Sequence, residues 1–495
     1  MIPSLQEVRA LSPRITPEFL EEQCVIPLGM DDGTLHLGTW RPAVEPEAIY
    51  ELEALFGVHA AVHAVDEEQA RAAIRRVYGE HSAQSLIDAV RETSDAFGVD
   101  DSPAIDDLRA LANEAPVIRL VSMLLTEALA ARASDVHLEA YPDALRVRYR
   151  IDGVLQEAPS PPRSMAPAVI SRLKVMANLD IAERRTPQDG RIRLSLQDRQ
   201  VDVRVSTVPT LHGESVVLRL LDKESGTLEL EALGMSSSDL ARFTEVLTRP
   251  HGIVLATGPT GSGKTTTLYA ALQRLRTGRE KILTVEDPVE YQLAGIPQVP
   301  VNEKVGVTFA SALRALLRQD PDVMLVGEIR DGETAEIATQ AALTGHLVLS
   351  TLHTNDAAGA LTRLVDLGVA SFLVSATVEA VLAQRLVRTV CRACAVRAPA
   401  TDVDRSALDA PELIEITRGV GCDVCRGSGY SGRTGVYELI VLDEAMRAAI
   451  TSGAGAPAIR ALAGAEGAPQ LRDDGVRLVR EGITTPEEVL RVCRA

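Results

Sequence analysis

Residues Gly258–Thr266 read GPTGSGKTT. A short apolar segment, Gly252–Thr257, precedes them directly, and a stretch with helical spacing, Thr265–Leu275, begins within them. The pattern GxxxxGK[ST] between a strand and a helix is typical of a loop whose backbone N–H groups surround phosphate oxygens. In such a loop Lys264 reaches the β- and γ-phosphates, and the Thr265 hydroxyl ligates Mg²⁺. The sequence therefore predicts a nucleotide site formed by Gly258, Pro259, Thr260, Gly261, Ser262, Gly263, Lys264, Thr265 and Thr266.

Short apolar segments alternate with helical stretches from about Leu233 onward. The predicted strands are Gly252–Thr257, Ile282–Val285, Val323–Val326 and Leu347–Thr351. The predicted helices are Thr265–Leu275, Ser311–Arg318 and Glu333–Leu343. Because parallel strands need helical crossovers that cover both sheet faces, this order predicts an α/β fold with a mostly parallel sheet.

Three of these strands end in polar residues that could complete the nucleotide site. The segments LTVEDPVE, VMLVGEIRD and LVLSTLHTND carry Glu286, Glu328 and His353. Taken singly, each acid could equally be a capping or surface residue, and the histidine a structural one. Ligands of parallel sheets bind at the carboxyl ends of strands, so three such ends favour catalytic groups. Glu328 replaces the Asp that is usual in a Walker B strand, and its longer side chain predicts that it holds Mg²⁺ through water.

The rest of the chain is predicted to form separate units. A small module is followed by a polar, acidic linker, GVDDSPAIDD, and then by an α+β unit. In that unit Leu145–Ile151 and Val201–Ser206 alternate apolar residues with arginines or other charged residues, which is also the pattern of a solvated strand face. Thr16-Pro17 predicts a helix start, and Thr485-Pro486-Glu487-Glu488 predicts a capping box for the last helix. The predicted units are residues 1–97, 98–107 (linker), 108–226, 233–388, 389–435 and 436–495 (helical).

Composition limits the classes of function. The 495 residues carry a net charge of −18 and contain no Lys/Arg-rich run, which argues against binding to a nucleic-acid backbone. The N-terminal residues contain no apolar segment typical of a secretory signal, and no stretch approaches the ~20 apolar residues of a membrane helix. We therefore expect a cytoplasmic chain.

Four of the six cysteines form two close pairs. Cys391, Cys394, Cys422 and Cys425 give the pattern C-x₂-C-x₂₇-C-x₂-C. Two such knuckles supply four thiolates to one tetrahedral Zn²⁺ and leave no open position, so the predicted role is structural. The alternative is a set of unmetallated thiols. Cys24 and Cys493 stand alone and are expected to be packed or incidental.

These motifs together resemble the secretion ATPases of the type II secretion and type IV pilus assembly superfamily. The resemblance rests on GPTGSGKTT, TVEDPVEYQ, LVGEIRD and GHLVLSTLHTND, with APVIRLVSMLLTEALAARASDVHLE and RVRYRIDGVL upstream. It covers roughly residues 110–495, and the paired cysteines favour assembly over retraction members. These two upstream segments are most similar to those of the type II secretion branch.

The resemblance implies a RecA-like ATPase core behind a PAS-like second domain. It implies a homohexamer, peripheral on the cytoplasmic face of the inner membrane, that uses ATP, Mg²⁺ and Zn²⁺. The N-terminal module of such a protein docks on the cytoplasmic domain of an inner-membrane platform protein, and hydrolysis moves a polytopic platform protein to power pseudopilus assembly and export. Active sites of the family lie between domains, and Arg191 and Arg204 match the arginines that complete them; Arg219 is a weaker match.

Three alternatives remain at this stage. A type IV pilus assembly ATPase would share the core chemistry and differ in its N-terminal module and partner. A nucleic-acid motor is disfavoured by the acidic charge. In a non-hydrolysing scaffold, at least one of the positions Lys264, Thr265 and Glu328 would carry a different residue, and here all three motif residues are present.

Overall fold

The computed structural model describes residues 19–20, 23–31, 33–41, 46–67, 69–71, 74, 112–113, 115–196, 199–222 and 228–493. The predicted helix start at Thr16-Pro17 and the predicted linker Gly98–Asp107 lie outside these residues. The chain divides into two units, Met1–Asp222 and Lys223–Ala495.

The first unit contains a small three-stranded sheet. β1 (Val25–Asp31) pairs antiparallel with β2 (Thr34–Thr39), and β3 (His59–Ala64) joins β2 in parallel after helix α1 (Pro46–Phe56). The helix is needed because a parallel neighbour must return to the same end of the sheet before it can pair. The core of this sheet consists mainly of Leu20, Val25, Ile26, Leu35, Leu37 and Leu52.

The same unit contains a six-stranded antiparallel sheet with two helices. Its elements are α2 (Ala115–Ala130), β4 (Ala133–Ala140), β5 (Leu145–Ile151), β6 (Val154–Glu157), α3 (Ala166–Met176), β7 (Gln188–Leu196), β8 (Arg199–Thr210) and β9 (Gly213–Asp222). The strand order is β6-β5-β4-β9-β8-β7. One set of alternate strand residues forms a single core with both helices, so the other set lies on the opposite face of the sheet.

The arginines of β5 have partners on that opposite face. Arg148 donates to Glu139 at 2.7 Å, and Arg150 lies 3.8 Å from Asp135. These contacts fit a paired, solvated strand surface, which is the ordinary interpretation of an arginine-rich strand.

The second unit is an α/β unit. It begins with α4 (Ser237–Leu247), β10 (Gly252–Thr257), α5 (Lys264–Leu275), β11 (Ile282–Glu286), β12 (Gln298–Pro300), α6 (Phe309–Leu316), β13 (Val323–Val326), α7 (Gly332–Leu343), β14 (Leu347–Leu352), α8 (Ala357–Asp366) and α9 (Ser371–Thr377). It continues with β15 (Val378–Val390), β16 (Ala395–Pro399), α10 (Asp402–Leu408), β17 (Glu415–Gly419), β18 (Tyr430–Val441), α11 (Glu444–Thr451), α12 (Ala456–Ala465), α13 (Leu471–Arg480) and α14 (Pro486–Val492).

Its seven-stranded sheet is parallel except at one edge. The order is β12-β11-β13-β14-β10-β15-β18, and only β18 runs antiparallel to its neighbour. Alternate residues of β10 enter different cores, with Ile253 and Leu255 on one face and Val254 and Ala256 on the other. Because both faces are covered, the central strands are continuous apolar runs, and the predicted mostly parallel α/β fold is confirmed.

The prediction that the tail is helical from Val436 onward is wrong for its first residues, which belong to a strand. β18 spans Tyr430–Val441 and pairs along most of its length with β15. Every residue from Val436 to Ile440 is buried, so this segment lacks the alternation that marks a half-exposed strand, and buried Glu438 breaks its apolar run. A fully buried edge strand of this kind cannot be told from a buried helix by periodicity alone.

The last helix is capped in a simpler way than predicted. The Thr485 hydroxyl accepts from the Glu488 N–H at 3.4 Å, which is one half of a capping box. The Glu488 carboxylate binds Arg388 of β15 and Arg491 instead. Although burial opposes ionisation, these guanidinium groups lower the pKa of Glu488 to about 2. The carboxylate therefore links α14 to the sheet.

Candidate active site and metal centre

The predicted phosphate loop lies between the end of β10 and the start of α5. Gly258, Gly261 and Gly263 have φ values of +148°, +78° and +88°. A Cβ at Gly258 would lie 2.5 Å from the Gln384 carbonyl oxygen, and one at Gly263 would lie 2.7 Å from the Gln384 Nε2. Both the backbone conformation and the close approach of β15 therefore require glycine at these positions.

Two polar groups inside the loop fit a phosphate ligand. The Lys264 ammonium donates to the carbonyls of Gly258 at 2.7 Å and Pro259 at 3.1 Å. Burial lowers the pKa of Lys264 to about 8, and the charge of Glu328 opposes that shift. The Ser262 hydroxyl oxygen is buried and has no hydrogen-bond partner in the described part of the chain. A buried hydroxyl without a partner is costly, and an oxygen-rich anion in the loop would satisfy it.

Two of the predicted strand-end residues meet beside this loop. The Glu328 carboxylate lies 3.5 Å from His353 Nε2 and 2.5 Å from the Arg330 guanidinium. Burial raises the pKa of Glu328, but the hydrogen bond from Arg330 and the charges of Arg330 and His353 outweigh it and hold this pKa below its usual value. The carboxylate is therefore ionised at neutral pH, and β13 and β14 bring it to the histidine because they are adjacent parallel strands.

The third strand-end residue, Glu286, lies in a different environment. Its buried carboxylate accepts hydrogen bonds from Tyr269 of α5, from Thr284 at 2.5 Å and from Gln298 at 3.0 Å. Burial and the neighbouring Glu286 raise the pKa of Tyr269, so the phenol stays protonated as a donor. Thr284 and Glu286 are two residues apart on β11, so their side chains lie on the same face of the sheet and can contact each other. The next residue, Asp287, is the one that faces Arg330, at 3.8 Å.

The segment after β14 is fixed to the rest of the site by hydrogen bonds. The Thr257 hydroxyl at the end of β10 lies 2.7 Å from the Thr354 hydroxyl and accepts from the Thr354 N–H. Asp356 caps α8 through the Gly359 N–H and pairs with Arg460 of α12 at 2.7 Å. His353 therefore lies between the end of β14 at Leu352 and the anchored Thr354.

Two residues of β15 lie against the loop, and neither belongs to a motif that the sequence analysis identified. The Gln384 side chain accepts from the Thr267 hydroxyl of α5 at 2.8 Å. The Arg385 guanidinium donates to the carbonyl of Asn355 at 2.7 Å. Only the pairing of β10 with β15 brings these residues here, although they are more than a hundred positions from the loop in sequence.

In the first unit, the predicted arginines form one row across the antiparallel sheet. Arg191, Arg204 and Arg219 occupy directly paired positions on β7, β8 and β9. Asp135 of β4 continues the row and pairs with Arg219 at 3.1 Å. Like charges directly opposite one another destabilise a sheet, and the salt bridge between Arg219 and Asp135 offsets part of that repulsion.

The four paired cysteines converge in one cluster. The sulfur atoms of Cys391 and Cys422 are 3.8 Å apart, as are those of Cys394 and Cys425, and those of Cys422 and Cys425 are 3.7 Å apart. A tetrahedral zinc site with Zn–S bonds of about 2.3 Å has sulfur–sulfur edges of about 3.8 Å. The backbone N–H groups of Cys422 and Gly429 also donate to the Cys425 sulfur, each at 3.2 Å. The cluster is thus a site that fits a zinc ion.

No helix among the described residues is both long enough and apolar enough to cross a membrane.

Comparison with known proteins identifies the family. Residues 110–491 match the model of the "Type II/IV secretion system protein" family, and residues 2–84 match the MshEN domain. The type II secretion system protein E of Pseudomonas aeruginosa is 50% identical over 92% of this chain and 91% of its own length. The protein of the same name from Dickeya dadantii is 47% identical over 98% of each chain. The type II secretion system ATPase E of Vibrio cholerae is 50% identical over 83% of this chain and 82% of its own.

Solved structures agree with this relationship. The crystal structure of the pilus retraction motor PilT with bound ADP covers 74% of this chain and 95% of its own, with a TM-score of 0.53 and 25% sequence identity. The ATPase DotB of Legionella pneumophila, with a TM-score of 0.56 and 20% identity over 75% of this chain and 94% of its own, shares the fold. The chain therefore belongs to the type II/IV secretion system protein family, among its type II secretion ATPases.

Proposed function

We propose that this chain is the ATP-driven motor of a type II secretion system. It acts as a homohexamer, peripheral on the cytoplasmic face of the inner membrane, and its hydrolysis of ATP powers pseudopilus assembly and protein export, which makes it a translocase. The observation that carries the proposal is the meeting of Glu328 and His353, 3.5 Å apart, beside the loop that holds Lys264. A loop that only bound nucleotide would need neither residue.

We propose a role for each of these residues that fits its position. The loop N–H groups and the Ser262 hydroxyl bind phosphate oxygens, and Lys264 reaches the β- and γ-phosphates. The Thr265 hydroxyl and the ionised Glu328, the latter through water, would hold Mg²⁺, which suits a donor set made only of oxygen. When bound, the metal would supply charge neutralisation for the phosphates. His353 fixes the orientation of the Glu328 carboxylate.

Glu286 is proposed to act through α5 rather than on the nucleotide. Its carboxylate binds the Tyr269 hydroxyl, five residues after Lys264 on the helix that follows the loop. This bond links β11 to the phosphate-binding helix, so Glu286 is a positioning residue.

The arginine row is proposed to supply further positive charge to the nucleotide. Arg191 and Arg204 lie side by side on β7 and β8, and Arg219 extends the row. Guanidinium groups stabilise charge that spreads over the oxygens of a transferring phosphoryl group.

The N-terminal module, residues 1–97, is proposed to dock on the cytoplasmic domain of an inner-membrane platform protein. The match to the MshEN domain over residues 2–84 supports a separate module with a binding role. This docking would place the motor beside a polytopic platform protein, with no part for nucleic acid.

Deletion of the gene in its source bacterium tests the function. Secreted enzymes should accumulate in the periplasm, surface pili should be retained, and the full chain supplied in trans should restore export. In fractionated cells the chain should leave the membrane fraction when the platform protein is absent. Loss of pili with intact export would instead indicate that the chain is a pilus assembly ATPase. Stimulation of ATP turnover by DNA or RNA, steeply dependent on salt, would favour a nucleic-acid motor.

The cysteine cluster is proposed to hold one structural Zn²⁺. Cys394→Ser should reduce the zinc content from about one ion per chain toward zero, because a site of three thiolates no longer satisfies the tetrahedral ion. Amide hydrogen exchange in Leu386–Tyr437 should rise before ATP turnover changes. Elemental analysis measures the metal, and an unchanged zinc content would contradict the site. Cys493→Ser is the matched control, since that lone thiol lies outside the cluster and should leave zinc in place.

A further inference from the structure

Two positive side chains meet at the first glycine of the phosphate loop. The Lys264 ammonium donates to the Gly258 carbonyl at 2.7 Å. A methyl group placed on Gly258 would lie 3.0 Å from Nη1 of Arg385, so this guanidinium lies against the same residue. The charge of Arg385 adds to the effect of burial in lowering the pKa of Lys264. The two cations therefore repel each other.

Arg385 has no carboxylate partner among the described residues. Its guanidinium is half-buried and donates only to two carbonyls, those of Asn355 at 2.7 Å and Gln384 at 3.2 Å. The groups whose charge it feels are Cys493, Glu438 and Asp356. Glu438 accepts the Ala357 N–H and Asp356 pairs with Arg460, so both carboxylates have other partners. Burial of an unpaired charge is costly, and a bound anion removes that cost.

The position of Lys264 indicates which end of a nucleotide lies here. The lysine of a phosphate loop reaches the β- and γ-phosphates. Its ammonium is at Gly258, so the terminal phosphate belongs at this end of the loop, where Arg385 also lies. We propose that Arg385 binds the terminal phosphate of ATP in place of the Asn355 carbonyl; this inference rests on the nucleotide site proposed above.

The exchange of hydrogen-bond partners by Arg385 affects the segment next to His353. A charge-assisted hydrogen bond to a phosphate oxygen is roughly twice as strong as one to a neutral acceptor. The Arg385 guanidinium therefore exchanges its hydrogen bond to the Asn355 carbonyl for one to the phosphate. Asn355 lies two residues after His353, in the segment held between Thr354 and Asp356. Binding of ATP, but not of ADP, therefore releases one bond of this segment next to the Glu328–His353 pair.

Binding measurements on the full-length Arg385→Gln variant test this role. The affinity for a non-hydrolysable ATP analogue should fall about tenfold to a hundredfold, the value of one hydrogen bond to a charged group. The affinity for ADP should change by less than about threefold, and this retained ADP binding also shows that the variant is folded. Wild-type affinity for the analogue, or an equal loss for the analogue and ADP, would overturn the assignment.

Two controls separate this inference from the nucleotide site itself. Arg274→Gln removes the same charge at the far end of α5, where Arg274 pairs with Glu231 at the surface, and should bind both nucleotides as the wild type does. Failure of the wild-type chain to bind either nucleotide would overturn the proposed function as a whole. The analogue should also increase amide exchange over residues 354–357 in the wild type and not in Arg385→Gln. If the analogue leaves amide exchange of these residues unchanged in the wild type, the proposed exchange of hydrogen-bond partners is overturned.

Discussion

Lys264→Ala should abolish ATP hydrolysis while the chain stays folded. The ammonium is the buried cation of the phosphate loop, and its removal leaves the β- and γ-phosphates without their main positive partner. Loss of one electrostatic contact to the transferring group costs about a hundredfold to a thousandfold in turnover, and the loss of nucleotide affinity adds to this. Release of inorganic phosphate measures turnover, and circular dichroism together with zinc content shows that the fold is intact.

The matched control is Lys281→Ala. This lysine is exposed just before β11, and only its backbone groups make hydrogen bonds among the described residues. The variant changes the net charge in the same way and should turn over ATP at the wild-type rate. Phosphate release by Lys264→Ala at a comparable rate would refute the assignment of Gly258–Thr266 as the nucleotide site.

Glu328→Gln should separate binding of ATP from its hydrolysis. The amide keeps the size of the side chain but removes the charge that holds Mg²⁺ through water, so turnover should fall about a hundredfold or more. Affinity for ATP should remain near the wild-type value, because the loop and Lys264 are unchanged. The variant should therefore accumulate as a nucleotide-bound form, measurable by single-turnover kinetics and by the nucleotide retained after gel filtration.

Glu336→Gln makes the same chemical change on α7, away from the site. Glu336 is exposed, and its one side-chain contact within the described part of the chain is a long hydrogen bond, 3.4 Å, that it accepts from Gln340. This control should retain full activity, as substitutions of surface side chains usually do. Turnover by Glu328→Gln above a tenth of the wild-type rate would show that the carboxylate is not needed for hydrolysis.

Much of the second unit could be predicted because its signals are local. The loop motif specifies β10 and α5 within a few residues, and buried parallel strands are continuous apolar runs that end in polar residues. The meeting of Glu328 with His353 also follows from sequence, since neighbouring parallel strands bring their carboxyl ends to one edge. The cysteine spacing predicted a cluster, and the sulfur atoms do converge.

The misses share one physical cause, which is that they depend on pairing between distant parts of the chain. The second half of β18, residues 436–440, is buried at the sheet edge, so this part of its sequence lacks the alternation of a half-exposed strand. The contact of Glu286 with Tyr269 likewise depends on which face of β11 packs against α5, and no motif states that, while a catalytic role for Glu286 stays a prediction. Arg385 reaches the loop only because β15 pairs with β10. Glu488 binds Arg388 across a hundred residues rather than completing its local cap.

The position of the cysteine cluster between β15 and β18 bears on how the sheet edge folds. β15 ends at Val390, directly before Cys391, and β18 begins at Tyr430, soon after Cys425. Without the cluster, these strands can pair only after a long flexible connection has closed, and the entropic cost of closure rises with its length. A metal ion that gathers both knuckles shortens that connection to a few residues. With zinc bound, β15 and β18 would be close along the cross-linked chain, so their pairing would no longer require closure of a long loop. The edge of the ATPase sheet would then form early rather than late in folding.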